Sequence, residues 1–98
     1  MNMITIIVII KVKEGNMDKA IEIIKKVVPK IREDEPGLVN YIPYKIKGAK
    51  NKNTIIFYEQ YKDKIALTEH MTKLPENLKE LFPLLDGSLE TKNCIKII

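Results

Sequence analysis

The chain has 98 residues, about the length of one domain, so a second hydrophobic core is not expected and residues 1–98 read as a single unit. With 45% hydrophobic and 31% charged residues, it is too apolar for a disordered chain and too charged for a lipid-embedded one. The single cysteine, Cys94, excludes an intrachain disulfide, and a single histidine excludes a Cys/His zinc finger.

A net charge of +4 raises nucleic acid as a partner, but all 17 basic residues except Arg32 are lysine. Arginine is the side chain whose planar fork reads guanine and phosphate. The lysines alternate with acids, as in Lys11-Val12-Lys13-Glu14 and Lys30-Ile31-Arg32-Glu33-Asp34, the pattern of a solvated surface, so no nucleic-acid partner is expected. The apolar run from Ile4 to Ile10 is far short of the roughly 20 residues that span a bilayer. No basic segment precedes it and no small-residue cleavage site follows, so no membrane is expected and the cytoplasm is the expected location.

In chain order, Ile4 to Val12 is β-branched almost throughout and apolar at both parities, which predicts a buried central strand. Glu14-Gly15-Asn16 breaks it, with Asn16 as the expected cap of the next helix. Ala20, Ile24, Val27 and Ile31, widened by Ile21 and Val28, form the helix's apolar stripe, and Pro29 predicts a kink or a loosened last turn. Glu35-Pro36-Gly37 ends the helix, the glycine being free to take positive φ. A second strand runs from Leu38 to about Ile46, with Pro43 marking an edge or bulge. After a polar turn, Thr54 to Tyr61 splits by parity into Ile55, Phe57, Glu59, Tyr61 and Ile56, Tyr58, Gln60. Asp63 caps a second helix carrying Ile65, Ala66, His70 and Met71, expected to break near Pro75, with a further turn from Glu76 to Leu81. Leu89 to Ile98 supplies the last strand.

The order β-α-β-β-α-β predicts an α+β, ferredoxin-like fold with both helices on one face of a four-stranded antiparallel sheet. Strands apolar at both parities leave the second face uncovered in so short a chain, which predicts a homodimer formed through the sheet face.

His70 lies one helical turn after Ala66 and so faces the sheet with the apolar residues. Glu59 shares a strand face with Ile55 and Phe57, and a buried acid there needs a partner. If that face looks toward the helices, Glu59, Tyr61 and His70 share a polar spot in an apolar cleft, as a general base or a phenol-binding pocket requires. The alternative is a half-exposed His70 and a Glu59 paired with a lysine across the strand. Tyr41, Tyr58, Tyr61 and Phe57 supply rings that suit an aromatic or quinol-like ligand, although strand tyrosines also serve as packing. Nothing near Cys94 in sequence would activate its thiol. The glycines have no phosphate-cradling spacing, and one histidine without a spaced carboxylate pair is not a metal-ligand set, so no cofactor and no metal are expected.

Glu35-Pro36-Gly37 followed by Tyr41, then Tyr58-Glu59-Gln60-Tyr61 with Asp63, then Ala66-Leu67-Thr68-Glu69-His70, together resemble the antibiotic biosynthesis monooxygenase family. The resemblance implies a dimeric α+β barrel and places His70 and Glu59 in its pocket. It implies a small oxygenase acting on phenols or quinols without metal or flavin, with His70, oriented by Glu59, as the base and Tyr41, Tyr58 and Tyr61 holding the ring. Tyr61 stands where members usually carry an aromatic residue, often tryptophan, so haem is disfavoured. Two other functions fit the same cleft: a non-catalytic dimeric ligand-binding or stress module, and an isomerase acting on a small signalling metabolite.

Overall fold

Ile4–Lys11 forms β1, Met17–Asp34 α1, Leu38–Lys45 β2, Thr54–Tyr61 β3, Lys64–Asn77 α2 and Glu90–Cys94 β4. These belong to a computed structural model that describes residues 3–87 and 89–98. The strands make one antiparallel sheet in the order β2-β3-β1-β4, the ferredoxin-like βαββαβ arrangement expected from the sequence. No helix among the described residues is long and apolar enough to cross a membrane.

In β1 and β3 one parity, with Ile6, Ile10, Ile55 and Phe57, is buried, while the other, with Ile7, Ile9 and Ile56, lies on the second sheet face and is half-buried. Cross-strand register sets Ile6 opposite Glu59, Val8 opposite Phe57 and Ile10 opposite Ile55. This set faces the helices together with Tyr41, which pairs with Glu59 from the other side. Against it α1 packs Ala20, Ile24, Val28 and Ile31, all buried. Each fully buried large aliphatic or aromatic side chain in this layer contributes about 1.5–3 kcal/mol. The innermost valine of α1 is Val28 and not Val27, which is half-buried.

Neither helix breaks at its proline. Pro29 and Pro75 lie on solvent-facing sides, and the carbonyls they leave without an N–H partner, those of Lys25 and Met71, belong to exposed residues that water can reach. Asp63 caps α2 as expected, its carboxylate accepting from the Ala66 N–H at 2.9 Å. Asn16 makes no side-chain cap bond; its backbone carbonyl takes the Ala20 N–H instead. Pro43 sits in β2, an edge strand, where a missing N–H is tolerated, and the bulge falls between Leu38 and Asn40. The last strand is short, Glu90–Cys94, and Ile95, Ile97 and Ile98 beyond it are exposed.

Among the described residues no helix lies on the other sheet face. Ile7 stands opposite Tyr58 and Ile9 opposite Ile56, with Ile42 and Tyr44 alongside from β2. Asn40, Gln60 and Thr5 cross this face in a hydrogen-bonded row, at 2.7 and 3.1 Å.

Candidate active site

Beneath α2 the sheet leaves a cavity of about 240 Å³. Its floor is Ile6, Val8, Ile10, Tyr41, Phe57 and Glu59. Leu67, His70, Met71 and Leu74 of α2 form the roof, and Leu78, Leu81 and Phe82 close one end. Met71, Thr91 and Asn93 are exposed wall residues, so the mouth opens between α2 and β4. Sheet geometry therefore answers the parity question: the face carrying Glu59 looks toward the helices, and His70 and Glu59 open onto one cavity.

Glu59 is nearly buried because β3 is a central strand, with Ile6 and Tyr41 as its lateral neighbours. Burial pushes its carboxyl above the ordinary 4.5, opposed by the Tyr61 hydrogen bond and by the nearby imidazole. The Tyr61 hydroxyl donates to Oε1 of Glu59 at 2.6 Å, as the i, i+2 spacing on one strand face allows. Burial, reinforced by the Glu59 charge, holds both Tyr61 and Tyr41 as neutral phenols well beyond the physiological range.

The imidazole is bonded elsewhere. Nδ1 of His70 lies 2.8 Å from Oε1 of Glu35, and both side chains are only 2% exposed. This corrects the expectation that Glu59 orients the ring: Glu59 is committed to Tyr61, and the carboxyl that reaches His70 comes from the α1–β2 turn. Oε2 of Glu35 is buried without a hydrogen-bond partner. The rings of Tyr41 and Tyr61 pack against His70 with centroids at 5.1 and 5.3 Å, and Tyr41 also stacks at a tilt on Phe57. Arg32 is used structurally, its guanidinium donating twice to the Tyr41 carbonyl at 2.6 and 3.1 Å. That bond satisfies an edge-strand acceptor and fixes Tyr41 over the cavity.

Of the other expected ring-binding residues, Tyr41 and Phe57 line the cavity, while Tyr61 stands behind its wall as the partner of Glu59. Tyr58 does not belong with them. Strand alternation sends it to the open face, beside Ile7 and Ile42. Sequence reasoning missed Glu35, read only as the residue before a helix-ending proline. A lone histidine on an apolar helix face needs a buried acceptor, and an acid in a tight turn was the available signal. Thr91 and Asn93 at the mouth were also missed, because β4 is too exposed to show an inward pattern. Among the described residues no cluster of three or more His, Cys, Asp or Glu could hold a metal ion.

The family model for antibiotic biosynthesis monooxygenase matches residues 3–74. A search of curated proteins found none similar in sequence. Among solved structures, a Mycobacterium tuberculosis protein superposes with a TM-score of 0.79 at 16% identity, covering 99% of this chain and 97% of its own. A conserved Methanosarcina mazei protein gives 0.74 at 22% identity over 96% and 92%, and an antibiotic biosynthesis monooxygenase gives 0.76 at 20% identity over 97% and 99%. At these identities the structural likeness speaks for the fold.

Proposed function

The chain belongs to the antibiotic biosynthesis monooxygenase family, and from that premise we propose that it oxidises a small phenol or quinol with dioxygen in the cavity beneath α2. The observation that carries this reading is that one imidazole and one carboxyl, His70 and Glu59, open onto the same mainly apolar cavity. His70 accepts the phenolic proton through the ring nitrogen not bonded to Glu35. The phenolate passes electrons to dioxygen, and the apolar walls keep water from the reactive pair. Glu59, which burial keeps protonated to higher pH, returns a proton to the reduced oxygen. The balance closes on substrate and dioxygen alone. In a phenol the ring C–H opposite the hydroxyl becomes a carbonyl, and in a quinol a C–H beside a hydroxyl becomes C–OH as the two original hydroxyls become carbonyls. Either way one oxygen atom enters the product and the other leaves as water with two substrate hydrogens. No external reductant is required, so the reaction asks for no cofactor.

Tyr41 and Phe57 hold the ring. Among the described residues no lysine or arginine lines the cavity, so a phosphorylated or carboxylated ligand finds no counter-charge and an uncharged aromatic is favoured. The proposal includes a homodimer in which a second copy covers Ile7, Ile9, Ile42, Ile56 and Tyr58. It also places the protein in the cytoplasm, where the exposed thiol of Cys94 stays reduced.

Oxygen uptake with a panel of hydroquinones, compared with His70→Ala, tests the chemistry; equal rates in both would remove His70 from it. A carboxyl raised by burial and an imidazole on one cavity favour one second reading, an isomerase that moves a proton within a small metabolite. Turnover without oxygen is its signature, and binding without turnover would mark a non-catalytic module.

A further inference from the structure

We propose that the turn Glu35-Pro36-Gly37 is a positioning element for His70, holding the imidazole as the Nδ1–H tautomer so that Nε2 is the nitrogen presented to the cavity. With a Glu35 carboxyl oxygen as the acceptor, the 2.8 Å contact makes Nδ1 the donor. The partner of one ring nitrogen decides which proton the other carries.

Three features of the chain aim Glu35 at the ring. Pro36 disfavours helical backbone at the residue before it, and Glu35 accordingly leaves α1 with φ −123° and ψ 86°. The turn is then docked on the connection between β3 and α2: the Gly37 carbonyl accepts from the Lys62 N–H at 2.9 Å. Finally, a β-carbon built on Gly37 would lie 2.5 Å from the Ala66 β-carbon. Glycine is thus needed for close approach, and not for the positive φ expected from sequence; among the described residues only Gly15, Gly48 and Gly87 have positive φ. Ala66 lies one helical turn before His70 on the same face. The contact at Gly37 therefore fixes the height of the imidazole relative to the carboxyl of Glu35, two residues before that glycine.

Glu35-Pro36-Gly37 and Ala66 to His70 thereby act as one unit, linking two stretches that the sequence separates by 29 residues or more. The consequence for turnover rests on the base role proposed above, but the tautomer does not, and the decisive measurement needs no substrate.

His70 is the single histidine, so a long-range 1H–15N correlation spectrum of the intact chain reads its ring without assignment. The expected spectrum at neutral pH has a protonated Nδ1 and an unprotonated Nε2; a protonated Nε2 with bare Nδ1 would overturn the proposal. Glu35→Met keeps the length and removes the acceptor, and is expected to change that signature. Gly37→Ala should perturb it as well and lower kcat on the order of a hundredfold with KM little changed, the scale of an ångström-level misplacement. Ala66→Gly added to Gly37→Ala removes the atom the new methyl meets, and should restore both spectrum and kcat. An unperturbed His70 in folded Gly37→Ala, or a double variant as perturbed as the single one, would refute the positioning role. Should Glu35→Met fail to fold, the wild-type spectrum still decides the tautomer and the Gly37/Ala66 pair decides the positioning. If no hydroquinone is oxidised but these spectra behave as described, the oxygenase reading fails and the positioning role stands.

Discussion

Replacing His70 with leucine is expected to destabilise the chain far more than the loss of one hydrogen bond would suggest. Glu35 is 2% exposed and its Oε2 already lacks a partner, so His70→Leu would leave a whole carboxyl buried and unpaired. Breaking a buried pair from one side costs about 3–5 kcal/mol, against a total stability of roughly 5–15 kcal/mol for a domain. For a chain of this size that corresponds to a fall in melting temperature of roughly 10–40 °C. Glu35→Met leaves the imidazole short of one acceptor and should cost less, about 1–3 kcal/mol. The double variant removes both polar groups and fills their space with apolar side chains of similar volume. It should be more stable than His70→Leu alone by at least about 2 kcal/mol, because replacing both members of a buried pair is often neutral. Urea denaturation midpoints at constant m-value measure all four corners of the cycle. Strictly additive single effects, or a His70→Leu cost below about 1 kcal/mol, would refute the view that Glu35 and His70 form one buried unit.

The raised Glu59 carboxyl gives a pH dependence of definite sign. The unfolded chain loses this proton near 4.5 while the folded chain keeps it longer, so wild-type stability falls as pH rises from 4.5 to the folded value and is unaffected below. Glu59→Gln, which keeps an acceptor for Tyr61, should remove that slope in urea midpoints taken from about pH 4 to 8; an identical slope would contradict the burial argument. Tyr61→Phe deletes the bond that lowers the Glu59 value. It should therefore push the slope to higher pH and cost about 1–3 kcal/mol once Glu59 ionises. On the open face, Ile9→Lys or Ile56→Lys should convert a dimer to a monomer in light scattering, with the far-ultraviolet dichroism unchanged. A wild-type chain that is monomeric at micromolar concentration would refute the covered-face reading.

The fold was legible because strand parity and helical spacing are local. Thr54–Tyr61 matches its expected bounds, Asp63 caps α2, and His70 is the single fully buried residue of that helix among those described. The same parity groups Glu59 with Ile55 and Phe57, and the structure turns that set toward the helices, with Ile6 and Tyr41 as the neighbours of Glu59. The pairing inside the site was not legible, because it depends on which turn lands on which helix. Glu35 and His70 are 35 residues apart, and nothing in either segment specifies the packing of Gly37 on Ala66, so close that an added β-carbon would lie 2.5 Å away. Tyr58 shows the reverse failure. Parity already placed it away from Glu59, but its ring chemistry was given more weight than its position. The sequence places a break near Pro75, and α2 runs two residues past it to Asn77: the cost of a missing N–H depends on whether water reaches the orphaned carbonyl, and exposure is a property of the packed molecule.

The most direct test of the oxygenase reading is simultaneous measurement of dioxygen consumed and quinone formed from a small hydroquinone or naphthol, with chelator present and no flavin added. The account predicts one dioxygen consumed per quinone formed from the naphthol, no product under nitrogen, and loss of activity in His70→Ala that remains folded by circular dichroism. Product formed at the same rate without oxygen, or an unchanged rate in folded His70→Ala, would contradict it.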